Sequence, residues 1–183
     1  MSVTAQSTPF ALLKEIQSRS QQNAIGLPQK VEVRRTWSGI GFRVGNVHLL
    51  ITMAEVGEIL RYPDITKVPS ASKWVKGLAN IRGNLLPVMD LNRFVDNEAL
   101  RLNKSSRVIV IQRGELSSGL LVDEVYGMRH FFTEEHSTNL PDVTDKLKTY
   151  LKGSFVQNDV EWGVFSVAEL AQSSEFLNIA ARV

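Results

Sequence analysis

The apolar residues of this chain alternate with small or polar ones over long stretches, and a period of two is typical of β-strands. The alternation begins at Trp37 and continues to Val44. Gly45-Asn46 then supplies a two-residue turn, because both residues tolerate the positive φ that tight hairpins require. The chain runs back over Val47–Thr52, so the pattern predicts a β-hairpin here.

Further short strands are predicted along the chain, separated by turn residues. Residues 85–91 are predicted as a strand, and Pro87 favours the edge of a sheet because proline cannot donate to a β-ladder. Residues 108–111 are a β-branched run typical of a buried strand. Two more hairpins are expected, one turning at Arg113-Gly114-Glu115 and one at Asn158-Asp159. This succession favours a mainly β fold, either barrels or a sandwich.

Helices are predicted near both ends. Residues 1–36 are interpreted as an N-terminal arm. The arm consists of a short amphipathic helix over 10–24 and a linker over 26–35. One face of that helix carries Phe10, Leu13 and Ile16. This face needs a surface to cover it, either the chain's own β domain or a partner, and both alternatives stay open. A C-terminal helix is predicted over about residues 166–181.

The order of elements occurs twice, which indicates an internal duplication. Residues 42–60 and 108–128 each contain a strand, a glycine turn and a second strand, with an acidic residue and valine near the end. Lys76-Gly77 and Lys152-Gly153 each precede a further hairpin. A half of about 60 residues is marginal alone, so we expect the two halves to bury apolar faces against each other.

Composition and charge exclude several classes of protein. The 183 residues include no cysteine, which removes disulfides, thiolate metal sites and thiol catalysis. The formal net charge of +2 divides into +3 over residues 1–36 and −1 over the remainder, and this neutral body disfavours nucleic-acid binding. No apolar run approaches the ~20 residues that span a bilayer. The first residues do not have the pattern of a secretory signal, so we expect a cytoplasmic protein without direct membrane insertion.

Residues that could carry catalysis or hold a metal are scattered. His48, His130 and His136 do not have the spacing of metal ligands. The carboxylates within residues 134–145 are expected to form a solvated loop, and Asp90 is expected to cap the end of a strand or to pair with an arginine. No nucleophile elbow, dinucleotide fingerprint or phosphate-binding lysine loop is found. We therefore predict no enzymatic activity, no metal site and no cofactor.

The most distinctive stretch is WVKGLANIRGNLLPVMDLNRF, residues 74–94. Gly77 and Gly83 bracket a tight loop, and glycine permits the left-handed backbone that such loops need. Asn80 can hydrogen-bond its own backbone. Arg82 stands on the turn, where its guanidinium suits a carboxylate or a row of backbone carbonyls. The sequence thus predicts an exposed corner built from glycine and arginine.

Through KGLANIRGNLLPVMDL the chain resembles the CheW family of chemotaxis adaptors, whose pattern is a K-G-x-x-N-L-R-G turn, an apolar strand with proline, and a D-L ending. The departure is Ile81, where the family usually has leucine. EVGEI at residues 55–59 and GLLVDEVYG at 119–127 resemble two further family segments in the same order. The resemblance extends over about residues 37–171, and the longer arm is similar to that of adaptors from type IV pilus twitching systems.

The resemblance implies two small five-stranded SH3-like β-barrels, with barrel 1 over about residues 37–100 and barrel 2 over about 101–170, inside a CheW-like domain over 37–183. It implies a non-catalytic scaffold at membrane chemoreceptor arrays. Its expected partners are the regulatory domain of a CheA-like histidine kinase and the cytoplasmic tip of a methyl-accepting chemoreceptor. The alternatives are a role in flagellar chemotaxis and an SH3-like barrel that binds nucleic acid or another ligand.

The resemblance also carries over seven partner-binding positions: Val56, Glu58, Ile59, Gly77, Asn80, Arg82 and Gly83. Val56 and Glu58 match receptor-side positions, and Ile59 and Gly77 match positions near the kinase contact. Arg82 matches the signature arginine of the family. Structural roles stay open for several of them, namely a core position for Val56 and Ile59, turn formation for the glycines, and a salt bridge between the barrels for Arg82.

Overall fold

The computed structural model describes residues 9–22, 34–114 and 116–178. It divides the chain into two compact units, residues 1–33 and 34–183. The first unit contains helix α1 (Pro9–Gln22), where Arg19 and Glu15 form an ion pair of 2.6 Å one turn apart. The predicted N-terminal helix is confirmed as far as residue 22. Residues 23–33, which include most of the predicted linker, lie outside the described residues, and the surface that covers the helix stays a prediction.

Eleven strands and four short helices are described in the second unit. The strands are β1 (Thr36–Val44), β2 (Val47–Thr52), β3 (Val56–Arg61), β4 (Ile65–Thr66), β5 (Val75–Ile81), β6 (Asn84–Asp90), β7 (Arg107–Arg113), β8 (Leu116–Val122), β9 (Glu124–Phe132), β10 (Leu151–Gln157) and β11 (Val160–Phe165). The helices are α2 (Leu91–Asp96), α3 (Asp145–Lys148), α4 (Val167–Gln172) and α5 (Ser174–Leu177). Short 3₁₀ turns lie at Met53–Glu55 and Thr133–Glu135.

The strands form two sheets, so the mainly β fold is confirmed. The first sheet has the order β10-β11-β2-β1-β9, and the second has the order β3-β7-β8-β6-β5-β4. Each sheet joins two hairpins through one parallel pair, β11 with β2 and β6 with β8. Neither sheet closes by strand pairing, because β10 and β9 are edges of the first and β3 and β4 are edges of the second.

The prediction that residues 37–100 and 101–170 each make one barrel is wrong in its assignment of strands, because the two halves exchange them. The first sheet combines β1 and β2 with β9, β10 and β11 from the second half, and the second sheet combines β7 and β8 with strands of the first half. The cause is local. The turn Met53–Glu55 carries the chain from the first sheet to β3 in the second, and Asp123 alone links β8 to β9 on the way back.

The exchange is reciprocal and follows the predicted duplication. Strands β1, β2 and β3 correspond to β7, β8 and β9, and β5 and β6 correspond to β10 and β11. Gly77 and Gly153 occupy equivalent places, since each has a positive φ (141° and 119°) at a register shift. Asp90 and Ser166 are likewise equivalent, because each caps the helix that follows its hairpin.

The main core lies between the two sheets and receives apolar side chains from both, as the duplication predicted. Phe42, Leu49, Ile109 and Leu120 are fully buried in it, together with Phe94 of α2. Burying side chains of this size contributes about 1.5–3 kcal/mol each, so the interface between the sheets dominates the stability of the unit.

Each sheet also has a smaller core on its opposite face. In the first sheet it is aromatic, with Phe131 stacked on Phe155 at a centroid distance of 4.7 Å beside Trp162. In the second sheet it is aliphatic and includes Val108 and Leu121. Both sheets therefore bury two faces, which explains why continuous apolar runs such as residues 108–111 occur among the strands.

Two sequence expectations about this unit are corrected. β6 is not an edge strand, since it lies between β8 and β5; Pro87 is accommodated because pairing with β8 begins only at Val88. The single helix predicted over 166–181 is interrupted at Ser173, which ends α4 and caps α5 by accepting a hydrogen bond from the Phe176 backbone N–H. Residues 179–181 of that prediction lie outside the described residues.

Candidate protein-docking site

The predicted glycine–arginine corner is the tip of the β5–β6 hairpin. Arg82 and Gly83 form its two-residue turn with φ values of 52° and 87°. The Asn80 side chain accepts a hydrogen bond of 2.9 Å from the Gly83 backbone N–H, which confirms the predicted local bond. We call Asn80, Arg82 and Gly83 the hairpin corner; all three residues are exposed.

Arg82 reaches from the hairpin corner to strand β3. Its Nη2 lies 2.5 Å from Oε1 of Glu58, and the side chains are 79% and 29% exposed. The second sheet curls enough for β3, one of its edges, to face this tip, although β7 and β8 lie between β3 and the hairpin in the sheet order. Arg82 therefore forms a salt bridge, but this bridge lies within the second sheet. The alternative role expected for Arg82 was a bridge between the two barrels.

A recess of about 330 Å³ lies beneath this ion pair. Glu58, Arg82, Asn84 and Gln112 line it together with Ser117 and a few apolar groups. Its lining is mostly polar and it opens to solvent. A partner group that enters here would meet amide and hydroxyl groups beside a guanidinium, a set that recognises carboxylates or backbone carbonyls.

Strand β3 carries two of the other predicted positions, Val56 and Ile59, which differ in exposure. Val56 is half-buried and packs against the main core, which agrees with its core alternative. Ile59 lies on the same face, because it pairs with Ile109 as Val56 pairs with Ile111, but it is 37% exposed and is not a core residue. Leu85, the second residue of β6, is 71% exposed. Ile59 and Leu85 thus present apolar side chains on the strands that border the hairpin corner.

The two glycines of the motif differ in their surroundings. Gly77 is buried at a bulge, and a Cβ there would lie 2.2 Å from the Thr66 carbonyl oxygen, so its backbone geometry is structural. Gly83 has no atom within 4 Å of the Cβ position, so its backbone is open to approach from outside. The structure therefore brings together Glu58, Asn80, Arg82 and Gly83, and it places Gly77 beneath the surface.

Asp90 fills the structural role expected of it. The fully buried carboxylate accepts backbone hydrogen bonds from Arg93 (3.0 Å) and Leu100 (3.1 Å), and Lys76 Nζ lies 3.9 Å away. Burial raises the pKa of Asp90, and the two backbone bonds and the lysine oppose this only in part. Because its hydrogen bonds cap α2 and hold the segment that follows it, Asp90 has the position of a structural group.

Sequence reasoning missed a cluster on the first sheet. His48 stacks on Tyr126 at 5.6 Å, and the Arg129 guanidinium lies 5.3 Å from the Trp162 ring centroid. Burial lowers the pKa of His48, and Arg43 and Arg129 add to the effect. Tyr126 and Arg129 lie on β9, and the order β11-β2-β1-β9 of the first sheet brings them beside His48 and Trp162, which are distant in sequence. Within the described ranges, no group of three His, Asp or Glu side chains is arranged to hold a metal ion.

Among the described residues, no helix is both long and apolar enough to cross a membrane.

Comparison with known proteins places these features in a family. The CheW-like domain family matches residues 38–175. The protein PilI of Pseudomonas aeruginosa strain PAO1 is 44% identical over 173 residues, which cover 94% of this chain and 97% of PilI. FrzA of Myxococcus xanthus is 34% identical over 88 residues, 48% of this chain and 55% of FrzA.

A solved structure shows the same fold. The scaffolding protein TtCheW of Thermoanaerobacter tengcongensis superposes with a TM-score of 0.64 at 22% sequence identity, covering 72% of this chain and 90% of TtCheW. The family match includes the whole hairpin corner, strand β3 and, apart from the first two residues of β1, both sheets. The chain is therefore a member of the CheW-like domain family.

Proposed function

We propose that this protein is a non-catalytic adaptor that couples a methyl-accepting chemoreceptor to a CheA-like histidine kinase in a chemosensory system controlling type IV pilus twitching motility. The observation that carries the proposal is the hairpin corner. Arg82 holds a left-handed backbone that is costly for a non-glycine residue, yet its side chain is 79% exposed and packs in no core. Strained, exposed residues of this kind are characteristic of binding sites.

Binding alone would transmit the signal. The guanidinium and the open Gly83 backbone provide directional hydrogen bonds, and Ile59 and Leu85 provide exposed apolar area next to them. A contact of about 1,200 Å² or less fits a transient signalling interaction of micromolar strength. In an array, many such contacts act together, and avidity then raises the effective affinity.

The seven carried-over positions have different roles in this proposal. Glu58, Ile59, Asn80, Arg82 and Gly83 form the contact surface itself. Val56 supports β3 from the core side, and Gly77 permits the bulge that sets the direction of the hairpin. The similarity to PilI and other CheW-like proteins supports the proposed recruitment of both partners, the twitching output and the location at receptor arrays in the cytoplasm.

The direct test compares Arg82→Asn with Arg113→Gln. Arg113 is a matched control because it is also a solvent-exposed arginine on the same sheet and is paired with a glutamate, Glu55, at 2.9 Å. Affinities for the kinase regulatory domain and for a receptor cytoplasmic fragment are measured by calorimetry. We expect Arg82→Asn to weaken at least one of them about tenfold or more, which corresponds to one charge-assisted contact, and Arg113→Gln to leave both unchanged.

Equal affinities for Arg82→Asn and the unmodified protein would remove the hairpin corner from the interface. The pathway is tested separately by deleting the gene in its native organism. Loss of twitching with normal swimming supports the assignment to pili, whereas loss of swimming alone assigns the adaptor to flagellar chemotaxis.

A further inference from the structure

A second recess lies away from the hairpin corner, between the β1–β2 turn, helix α2 and the segment 142–147. It is a cavity of about 320 Å³. Its inner wall is apolar and consists of Val44, Val95 and Leu147, each at most 4% exposed. We call this cavity the acidic recess because of the groups at its mouth.

Three carboxylates surround the mouth of the acidic recess. Asp96, Glu98 and Asp142 are exposed lining residues, and no lysine or arginine is among the lining groups. Within residues 34–114 and 116–178, these three side chains form no ion pair and no hydrogen bond. The opening thus carries three carboxylates without an ion-pair partner among the described residues, and the Arg43 guanidinium lies at the wall, where it donates to the Gly45 carbonyl oxygen at 2.6 Å.

A buried amide lines the same cavity. Asn92 is only 9% exposed, and its side chain has no hydrogen-bond partner among the described residues. Its amide atoms are not among the unpartnered atoms that are sealed from solvent, so they face the cavity and can bond a group that enters it. This observation is independent of the carboxylates, since Asn92 lies in the wall and the carboxylates lie at the mouth.

The walls of the acidic recess are fixed before any ligand enters. The Gly45 backbone N–H donates to Asp123 Oδ2 at 2.7 Å, which holds the β1–β2 turn. The Thr144 hydroxyl donates to the Val95 carbonyl oxygen at 3.2 Å, which holds the segment 142–147 against α2. A preformed site avoids the entropic cost of ordering its walls on binding.

From this geometry we propose that the acidic recess binds an arginine or lysine side chain presented by a partner protein. The aliphatic stem of such a side chain packs against the valines and the leucine, as long basic side chains do on apolar surfaces. Its cationic head then lies among the carboxylates, and one N–H reaches the amide oxygen of Asn92. This contact is separate from the hairpin corner, so either one can fail without the other.

The test uses the full chain labelled with ¹⁵N and three blocked peptides, Ac-Gly-Arg-Gly-NH₂, Ac-Gly-Lys-Gly-NH₂ and Ac-Gly-Gln-Gly-NH₂. We expect the arginine and lysine peptides to give saturable chemical-shift changes at the Asn92 side-chain amide and at the backbone amides of Gly45 and Val143. The affinity should be in the millimolar range because one side chain is bound, and it should fall with added salt. The glutamine peptide should give no saturable change.

Two double variants separate local charge from general charge. Asp96→Asn with Asp142→Asn should weaken binding of the arginine peptide about fivefold or more, whereas the matched control, Glu134→Gln with Asp159→Asn, should leave it unchanged. Retained dispersion of the amide spectrum shows that each variant is folded. A response to the glutamine peptide equal to that of the arginine peptide would overturn the proposal, and so would equal affinities in the two double variants.

Discussion

Replacing Arg82 with asparagine or alanine separates two contributions to the free energy of unfolding, the strain of its left-handed backbone and the stabilisation by its ion pair with Glu58. Arg82 has φ of 52°, in the left-handed region, where a non-glycine residue costs about 1–2 kcal/mol. Asparagine adopts this region more readily because its short polar side chain can hydrogen-bond locally, and alanine does not. The two variants lose the same ion pair but differ in backbone cost.

The magnitude follows from the exposure of the pair. The Arg82 side chain is largely exposed, and Glu58 is partly buried. Exposed pairs contribute about 0.2–1 kcal/mol, so Arg82→Ala should lower the free energy of unfolding by no more than about 1 kcal/mol. Arg82→Asn recovers part of the backbone cost and should be at least as stable as the alanine variant. For a chain of this size, 1 kcal/mol corresponds to a change in Tm of roughly 2–4 °C.

Chemical denaturation followed by circular dichroism measures both variants, and a double-mutant cycle with Glu58→Gln measures the coupling. We expect a coupling energy below about 1 kcal/mol and a normal fold in every variant. A loss above about 2 kcal/mol in Arg82→Asn would refute the reasoning, because the corner would then be part of the structural framework and not a surface free for partners.

Three further measurements test the description of the interior. Gly77→Ala should lower the free energy of unfolding by at least about 2 kcal/mol, because the new Cβ would meet the Thr66 carbonyl oxygen. Gly83→Ala should cost only about 1 kcal/mol of backbone strain, because no atom lies near its Cβ position. Equal melting temperatures of the two variants would contradict this. Burial raises the pKa of Asp90, so protonation of this carboxyl favours the folded state. The stability advantage of the wild type over Asp90→Asn should therefore be greatest below pH 3.8 and decline as the pH rises through the folded-state pKa. A difference in urea midpoints that does not change with pH would refute this. The pKa of His48 is lowered, so its NMR titration midpoint should lie below 6.5, and a midpoint at or above that value would show that the imidazole is not buried as described.

Local chemistry made several features of this fold predictable from the sequence. Gly45-Asn46 and Asn158-Asp159 turn their hairpins as predicted, and Gly45, Asn158 and Asp159 take the positive φ that such turns require. Lys76-Gly77 and Lys152-Gly153 revealed the duplication because both copies need a glycine at the bulge. The hairpin corner was visible for the same reason, since its turn and its Asn80 bond are formed within four residues.

Features that depend on distant residues were not predictable in this way. The exchange of strands between the halves arises from the choice of partner for β3 and β9, and an edge strand has the same alternation whichever sheet it joins. Pro87 indicated an edge strand because proline cannot donate to a β-ladder. The sequence pattern could not show that pairing with β8 starts one residue later. The ion pair of Arg82 with Glu58 depends on the curl of the sheet, and the Asn92 wall depends on how α2 and the segment 142–147 meet.

The reciprocal exchange of strands has a consequence for synthesis on the ribosome. All strands of the second sheet lie within residues 56–122, so that sheet can be completed while the rest of the chain is still being translated. Strands β1 and β2 leave the exit tunnel before any of these, yet the neighbours of their hairpin, β9 and β11, are made only after residue 123. The first hairpin to be synthesised therefore waits longest for its neighbours, and a chaperone that shields an unpaired hairpin would act there first.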